Sequence, residues 1–314
     1  MLVYILKRIL MTIPVMLVVA LFVFLLLRLS PGDPAAVIAG DYATAEDVAR
    51  IRERLGLSDS IVVQFFKWIG ALLQGDLGTS IFSNKPVIEL IGQRIEPTLL
   101  LSLTTILFSV AVAVPLGTLA AVRAGSVTDR AVMLFSVGGF SIPVFVLGYL
   151  LIYVFALDLR ILPVQGYRSP FEHGLGPFFM HIILPTLTLS VIYIALIARM
   201  TRASVIEMLE EDYIRTARAK GQSELEVVVR HALRNAAVPI VTVIGIGIAL
   251  LIGGVVVTES VYNIPGLGRL VLDAVLARDC PIIQGLILFF SFVYILLNLL
   301  IDLTYTFLDP RIRY

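Results

Sequence analysis

RMTRASVIEMLEEDYIRTARAKGQSELEVVVRHALRNAAVP, residues 199–239, is a charge-dense polar insertion between two apolar runs, 178–198 and 238–258. Each run has the about 20 residues needed to cross a bilayer. The segment between them therefore stands in water on one face of a membrane. Ser204 with Glu207, and Ser223 with Glu226, fit the capping-box pattern, so a helix start is predicted at each. Between the boxes, Asp212, Tyr213, Ile214, Arg215, Thr216, Ala217, Arg218, Ala219 and Lys220 mix good helix formers with cations at the C-terminal end, where the helix dipole favours positive charge. Gly221 supplies the stop. A short helix, a glycine turn and a second helix leading into a span make an elbow. Two readings of it stand, a solvated connector and a docking surface. The small Thr216, Ala217 and Ala219 favour docking because they let another backbone approach, while the neighbouring Arg and Lys can pair with acidic groups.

The rest of the composition agrees with a membrane setting. Hydrophobic residues make up 59% of the chain, charged residues 15%, and the mean hydropathy is +0.97, which identifies an integral membrane protein. The net charge of +1 and the dispersed Lys and Arg give no nucleic-acid patch. A single cysteine, Cys280, excludes an intramolecular disulfide and reads as structural beside Pro281. His173, His181 and His231 have no metal-ligand spacing, so no metal and no cofactor is expected on this chain.

Outward from the elbow, further spans are expected at 9–29, 98–122, 131–157 and 282–307, for an all-α protein of six transmembrane helices. The first, preceded by Lys7 and Arg8, reads as an uncleaved anchor. Pro115 is tolerated in span two, and Gly138, Gly139 and Pro143 invite a bend in span three. Residues 30–97 read as a helical extracytoplasmic insert: Thr44 and Asp47 cap a helix that Gly56 ends, a second helix runs 61–73, and an amphipathic piece leads to Ile95. That insert either caps the spans or docks a partner. The domain division is thus 1–29, 30–97 and a transmembrane core 98–314, with the elbow at 199–237. Lys7, Arg8, Arg123, Arg130, the elbow cations, Arg311 and Arg313 share one face, which the positive-inside rule makes the cytoplasm, with both termini there.

Ionisable residues within the spans are few. Asn298 and Asp302 read as a structural pair, while Arg28 and Glu259 reach headgroups. There is no phosphate-binding G-x-x-x-x-G-K-[ST], so if the chain serves transport and that transport is energised, the energy comes from another polypeptide. In span five Gly245, Gly247, Gly253 and Gly254 leave little side-chain volume. That surface either packs a partner helix or lines a translocation path.

The run Asp212 to Gly221, followed by His231, Ala232, Leu233, Arg234, Asn235 and Pro239, resembles the EAA loop of ABC importer permeases in its peptide-transporter form. Ser30-Pro31-Gly32-Asp33-Pro34, Gly75-Asp76-Leu77-Gly78-Thr79-Ser80, Pro265-Gly266-Leu267-Gly268-Arg269 and Asp309-Pro310-Arg311 extend the likeness over the chain, to the B-type subunit of dipeptide, oligopeptide, glutathione and nickel importers. Arg215 stands where the general EAA pattern has glutamate. The resemblance implies a type I ABC importer permease fold in a bacterial or archaeal cytoplasmic membrane, with no chemical step on this chain. It implies a homologous C-type permease partner, two cytoplasmic ATPases holding ATP and Mg, and a solute-binding protein. The expected cargo is a di- or oligopeptide or glutathione, with nickel or another small solute as the alternative. A secondary carrier is the competing class; it would show ionisable residues at the midplane or broken helices in matching halves.

Overall fold

The computed structural model describes residues 2–29, 44–54 and 58–308, and every named element among them is helical. In order these are α1 (Leu2–Leu29), α2 (Ala45–Arg54), α3 (Ile61–Leu73), α4 (Val87–Val122), α5 (Val127–Ser141), α6 (Val144–Leu151), α7 (Pro170–His173), α8 (Leu175–Leu209), α9 (Asp212–Ala219), α10 (Glu224–Glu226), α11 (Ala237–Val261), α12 (Leu267–Ala277) and α13 (Cys280–Leu308). After α6 and α10 the helix widens into π-helical stretches, Ile152–Asp158 and Val227–Leu233. The Ser30 to Pro34 motif, the Gly56 stop and the Asp309 to Arg313 ending lie outside the described residues.

By length and composition α4, α8, α11 and the Cys280–Thr304 part of α13 can cross a membrane. The α5–α6 pair passes the same test with a 103° bend at its break. Pro143 explains the bend: it lacks an N–H, and it pushes Ile142 out of the helical region, to ψ 121. α1 covers the expected first span, with a shorter apolar stretch at Leu10–Leu25.

Two local expectations are corrected. The amphipathic piece ending at Ile95 and the span starting at Thr98 are one helix, α4, which runs through Pro97. Its 36 residues extend about 54 Å, well past the about 30 Å of hydrocarbon. No helix starts at Ser204. α8 continues to Leu209 because Ser204 and Val205 are buried on its packed face, and packing outweighs a local capping pattern.

Contacts divide the chain into two units, Met1–Gln93 with Val271–Ile295, and Arg94–Leu270 with Leu296–Tyr314. In the first, Phe24 of α1 packs edge-on against Phe65 of α3 at 5.3 Å and against Trp68 at 5.6 Å. α3 starts where expected, with the Ser60 hydroxyl accepting the Val63 N–H. The Gly75 to Ser80 motif then forms a tight turn. Gly75 and Gly78 adopt φ +83 and +88, and the Asp76 carboxylate accepts the Gly78 N–H at 2.8 Å. The turn delivers the buried Ser80, whose hydroxyl donates to buried Asp279 at 2.6 Å, just ahead of α13.

In the second unit α8 is central. Its Ile182, Leu184, Leu189, Tyr193 and Ile197 pack with Leu101 and Ala113 of α4, Val132 of α5 and Val243, Leu251 and Val255 of α11. A Cβ on Gly117 would lie 2.5 Å from the Ala198 carbonyl oxygen, so this glycine lets α4 and α8 cross almost backbone to backbone. Asp129, 4% exposed, is gripped by both Arg202 Nε and an Arg202 terminal nitrogen, and accepts the Gly125 N–H at 2.8 Å. This pair ties the start of α5 to α8.

Candidate functional site

The elbow sits on a small core of its own. Ile214 and Ala217 of α9 turn inward onto Ala121 of α4, Val205 of α8 and Val227, Ala232, Ala236 and Ile240 of the helical path behind it. Asp212, Tyr213, Arg215, Thr216, Arg218, Ala219, Lys220 and Gly221 remain exposed. The small residue at 217 is therefore used by the chain's own helices, whereas Thr216 and Ala219 leave room on the outer surface.

Local chemistry fixes the turn. Gly221 takes φ +77, which a side chain would resist, and its N–H donates to the Arg218 carbonyl at 2.9 Å. Arg218 grips Glu224 with two parallel bonds of 2.9 and 3.1 Å, closing the turn from outside. The capping box at Ser223 is complete, since its hydroxyl accepts the Glu226 N–H at 3.3 Å while Glu226 accepts the Ser223 N–H at 3.1 Å. That backbone bond, then the Ser223 hydroxyl, hold the Glu226 carboxyl below its ordinary range. His231 and the Gln222 side chain meet at 2.7 Å across the turn. Arg215 pairs with Asp212 at 3.3 Å in full solvent, a contact of little energetic weight.

Three apolar side chains stand out of this polar surface: Tyr213 at 37%, Leu225 at 74% and Val229 at 53% exposure. Burying them would gain free energy at about 25 cal/mol per Å² of apolar area. The sequence reading missed Leu225 and Val229, although their four-residue spacing on a capped helix was a signal.

From Glu224 the chain stays helical through the π stretch and, after a brief irregularity at Ala236, along α11 to Val261. Pro239, near the start of α11, removes one backbone donor there. One nearly continuous rod thus carries the elbow at one end and the 262–269 loop at the other. Of the four glycines on it, three face side chains of neighbouring helices. A Cβ on Gly245 would strike Ile301 of α13, one on Gly247 would touch Tyr193 at 3.4 Å, and one on Gly254 would meet Leu189 at 3.1 Å. Gly253 alone of the four faces open space.

At the far end Glu259 is fully buried, not reaching for headgroups as its place near the end of an apolar run suggests. Its carboxyl accepts the Thr98 hydroxyl at 2.5 Å and the Arg269 N–H at 2.9 Å. Tyr262, also buried, meets the Thr188 hydroxyl at 2.7 Å and donates to the Gly148 carbonyl at 3.2 Å. Among the described residues no group of His, Cys, Asp and Glu is arranged to hold a metal ion.

Comparison with known proteins follows this geometry. Residues 113–314 match the family described as binding-protein-dependent transport system inner membrane component, and residues 1–104 match the family described as the N-terminal part of the membrane component of such systems. The "Probable peptide ABC transporter permease protein y4tP" of Sinorhizobium fredii (strain NBRC 101917 / NGR234) is 57% identical over 99% of both chains. The glutathione transport system permease protein GsiC of Escherichia coli (strain K12) is 45% identical, again over 99% of both. An inward-facing structure of the MetNI methionine ABC transporter superposes with a TM-score of 0.57 at 18% identity, over 71% of this chain and 97% of its own. At that identity the likeness is one of fold.

Proposed function

Since the chain belongs to the family of binding-protein-dependent transport system inner membrane components, we propose that it forms half of the membrane path of an ATP-driven importer for small peptides or glutathione. It is a permease of an ABC importer, a family whose membrane subunit is not itself catalytic. The cargo reading is supported by the names of the relatives at 57% and 45% identity.

In this reading the protein has six spans, with α1 and the bent α5–α6 pair each counted as one, and both termini in the cytoplasm. A homologous C-type permease completes the path. Two ATPases bind ATP and Mg beneath it, and a solute-binding protein delivers cargo from the other side. The observation that carries the reading is the elbow: a knob with a small core of its own, bearing exposed Tyr213, Leu225 and Val229 beside Arg215 and Lys220. That is the surface a groove on an ATPase would cover. ATP binding would then move the elbow, favouring one arrangement of the spans over the other.

The test is a purified complex of this chain with its partner permease and ATPases, carrying Leu225→Glu or Tyr213→Ala. Uptake and ATPase retention should fall about tenfold or more, as for interface anchors, with the spans still folded. Full ATP-driven uptake from Leu225→Glu would refute the docking assignment. Ligand identification on the co-purifying binding protein decides between peptide and glutathione.

A further inference from the structure

The least expected arrangement in the second unit is around Glu259, and the importer reading does not use it. Its side chain is buried at the far end of α11, yet its carboxyl serves two other elements. Oε1 accepts the hydroxyl of Thr98 on α4 at 2.5 Å, and Oε2 accepts the N–H of Arg269 at 2.9 Å, in the first turn of α12. Thr98 in turn accepts the Leu267 N–H at 2.8 Å, so both side chains satisfy free donors at that helix start. The loop closes around the carboxyl. A Cβ on Gly266 would collide with it, and one on Gly268 would lie 3.0 Å from Oε2 and 2.6 Å from the Val256 Cα. Both glycines of Pro265-Gly266-Leu267-Gly268 are thus required by the approach of backbone to one side chain. Behind it the Glu259 carbonyl accepts the Ile264 N–H at 2.8 Å, and the Tyr262 carbonyl accepts the Gly166 N–H, also at 2.8 Å.

A bond set of this kind makes α11, residues 262–269 with the first turn of α12 among them, and the Thr98 region of α4 one rigid piece. The other end of α11 is continuous with the elbow. We propose that Glu259 is a positioning residue which clamps the far loop to α11, so that an elbow displacement reaches that loop without being lost in local bending. This rests on the importer reading above. Without the clamp, the 262–269 loop would open by itself, and ATP would be spent on elbow movements that the far end does not follow.

The experiment uses the whole reconstituted complex with its ATPases and binding protein, comparing wild type with Glu259→Gln, Thr98→Val and Thr98→Ser. Thr98→Val leaves the buried carboxyl on the Arg269 N–H, and so tests the clamp even if Glu259→Gln does not assemble. Hydrogen exchange of Leu267 and Arg269 should rise about tenfold or more in Glu259→Gln, and that of Leu267 in Thr98→Val, while amides 186–198 stay unchanged. ATP hydrolysed per solute imported should rise severalfold in both, with basal ATPase kept. Thr98→Ser, which restores the hydroxyl, should return both readouts to wild type. Unchanged exchange in the variants overturns the clamp. Raised exchange with a wild-type ATP-to-solute ratio overturns the positioning role and leaves only a structural one. A wild-type complex with no ATP-driven uptake overturns the importer reading itself, and the coupling role with it, while the exchange data still report on the clamp.

Discussion

A single methyl group separates the two faces of α9, and its position sets a sharp expectation for substitutions two residues apart. Ala217 is 6% exposed and faces Ala121, Val205, Ile214, Val227, Ala232, Ala236 and Ile240. Three of those neighbours, Ala121, Ala232 and Ala236, are themselves cut back to a methyl and have no rotamer into which to retreat. Ala217→Leu therefore overpacks a site with little slack, and the cost should fall in the upper part of the usual range, about 2–3 kcal/mol. At 1.4 kcal/mol per factor of ten, the docked elbow would lose about 30- to 140-fold in population relative to a detached one. Ala219→Leu places the same side chain in solvent and should change stability by no more than about 0.5 kcal/mol. Limited proteolysis between residues 209 and 224 and hydrogen exchange across α9, on purified protein, read the difference directly. Uptake in the assembled complex is the second measurement: both variants should lose it, Ala217→Leu with a loosened elbow and Ala219→Leu with an intact one. Equal protease resistance and exchange in the two variants would refute the assignment of inner and outer faces.

Three further outcomes follow from other contacts. Asp129→Ala strands Arg202 without its partner and frees the Gly125 N–H; because Arg202 retains 27% side-chain exposure, the cost should be about 2–4 kcal/mol, somewhat below that of a fully buried pair. A melting temperature within a degree of wild type would contradict this, and Arg202→Met added to Asp129→Ala should recover part of the loss. Gly245→Leu drives a side chain into Ile301, so stability and uptake should fall together, whereas Gly253→Leu meets open space and should leave the complex stable while uptake falls. A stable Gly253→Leu complex with wild-type uptake removes that glycine from the path. The Glu226 carboxyl is depressed in the folded state, so its contribution is complete above the ordinary glutamate value of 4.5 and is lost as pH falls through the lower folded value. Protection of amides 224–228 should hold from neutral pH to about pH 5 and fail in acid; Glu226→Gln should abolish that dependence, whereas Ser223→Ala, which keeps the backbone donor, should only weaken it.

How much of this was legible in the sequence depends on whether the deciding contact was local. The elbow was legible because its signals are: Gly221 needs a left-handed backbone, and the Ser223–Glu226 box closes within one turn. The bend at Pro143 was legible for the same reason. Ser204 with Glu207 carries an equally good local pattern and starts nothing, because Val205 beside it is buried in the elbow core and holds the helix of α8 through that point. The inward turn of Ala217 was hidden, since an alanine in a polar helix of eight residues gives no clue to which face it occupies. Leu225 and Val229 were not singled out, because which face of their helix meets the elbow core is set by contacts from other helices. The Asp129–Arg202 pair joins residues 73 apart in sequence, beyond the reach of any periodicity argument.

Glycine-rich turns beside long apolar helices invite a reading as flexible connectors, and two turns among the described residues argue otherwise. Gly75 to Ser80 ends by handing a hydroxyl to Asp279, 199 residues away from Ser80. Pro265 to Gly268 folds around Glu259, which also holds Thr98, 161 residues away. In both cases the acid is almost wholly buried and sits beside the start of a helix, where free backbone N–H groups favour a carboxyl oxygen. An acidic residue buried next to an apolar span costs free energy unless donors reach it. At Glu259 both oxygens are reached, and Gly266 and Gly268 are what let the loop backbone come that close, while Asp279 receives the Ser80 hydroxyl on one oxygen. At Glu259 the glycines and the acid therefore form one device, completed by Thr98 from far away in the chain. A turn built this way is held at both ends, and it can pass on the movement of the helix that carries its acid.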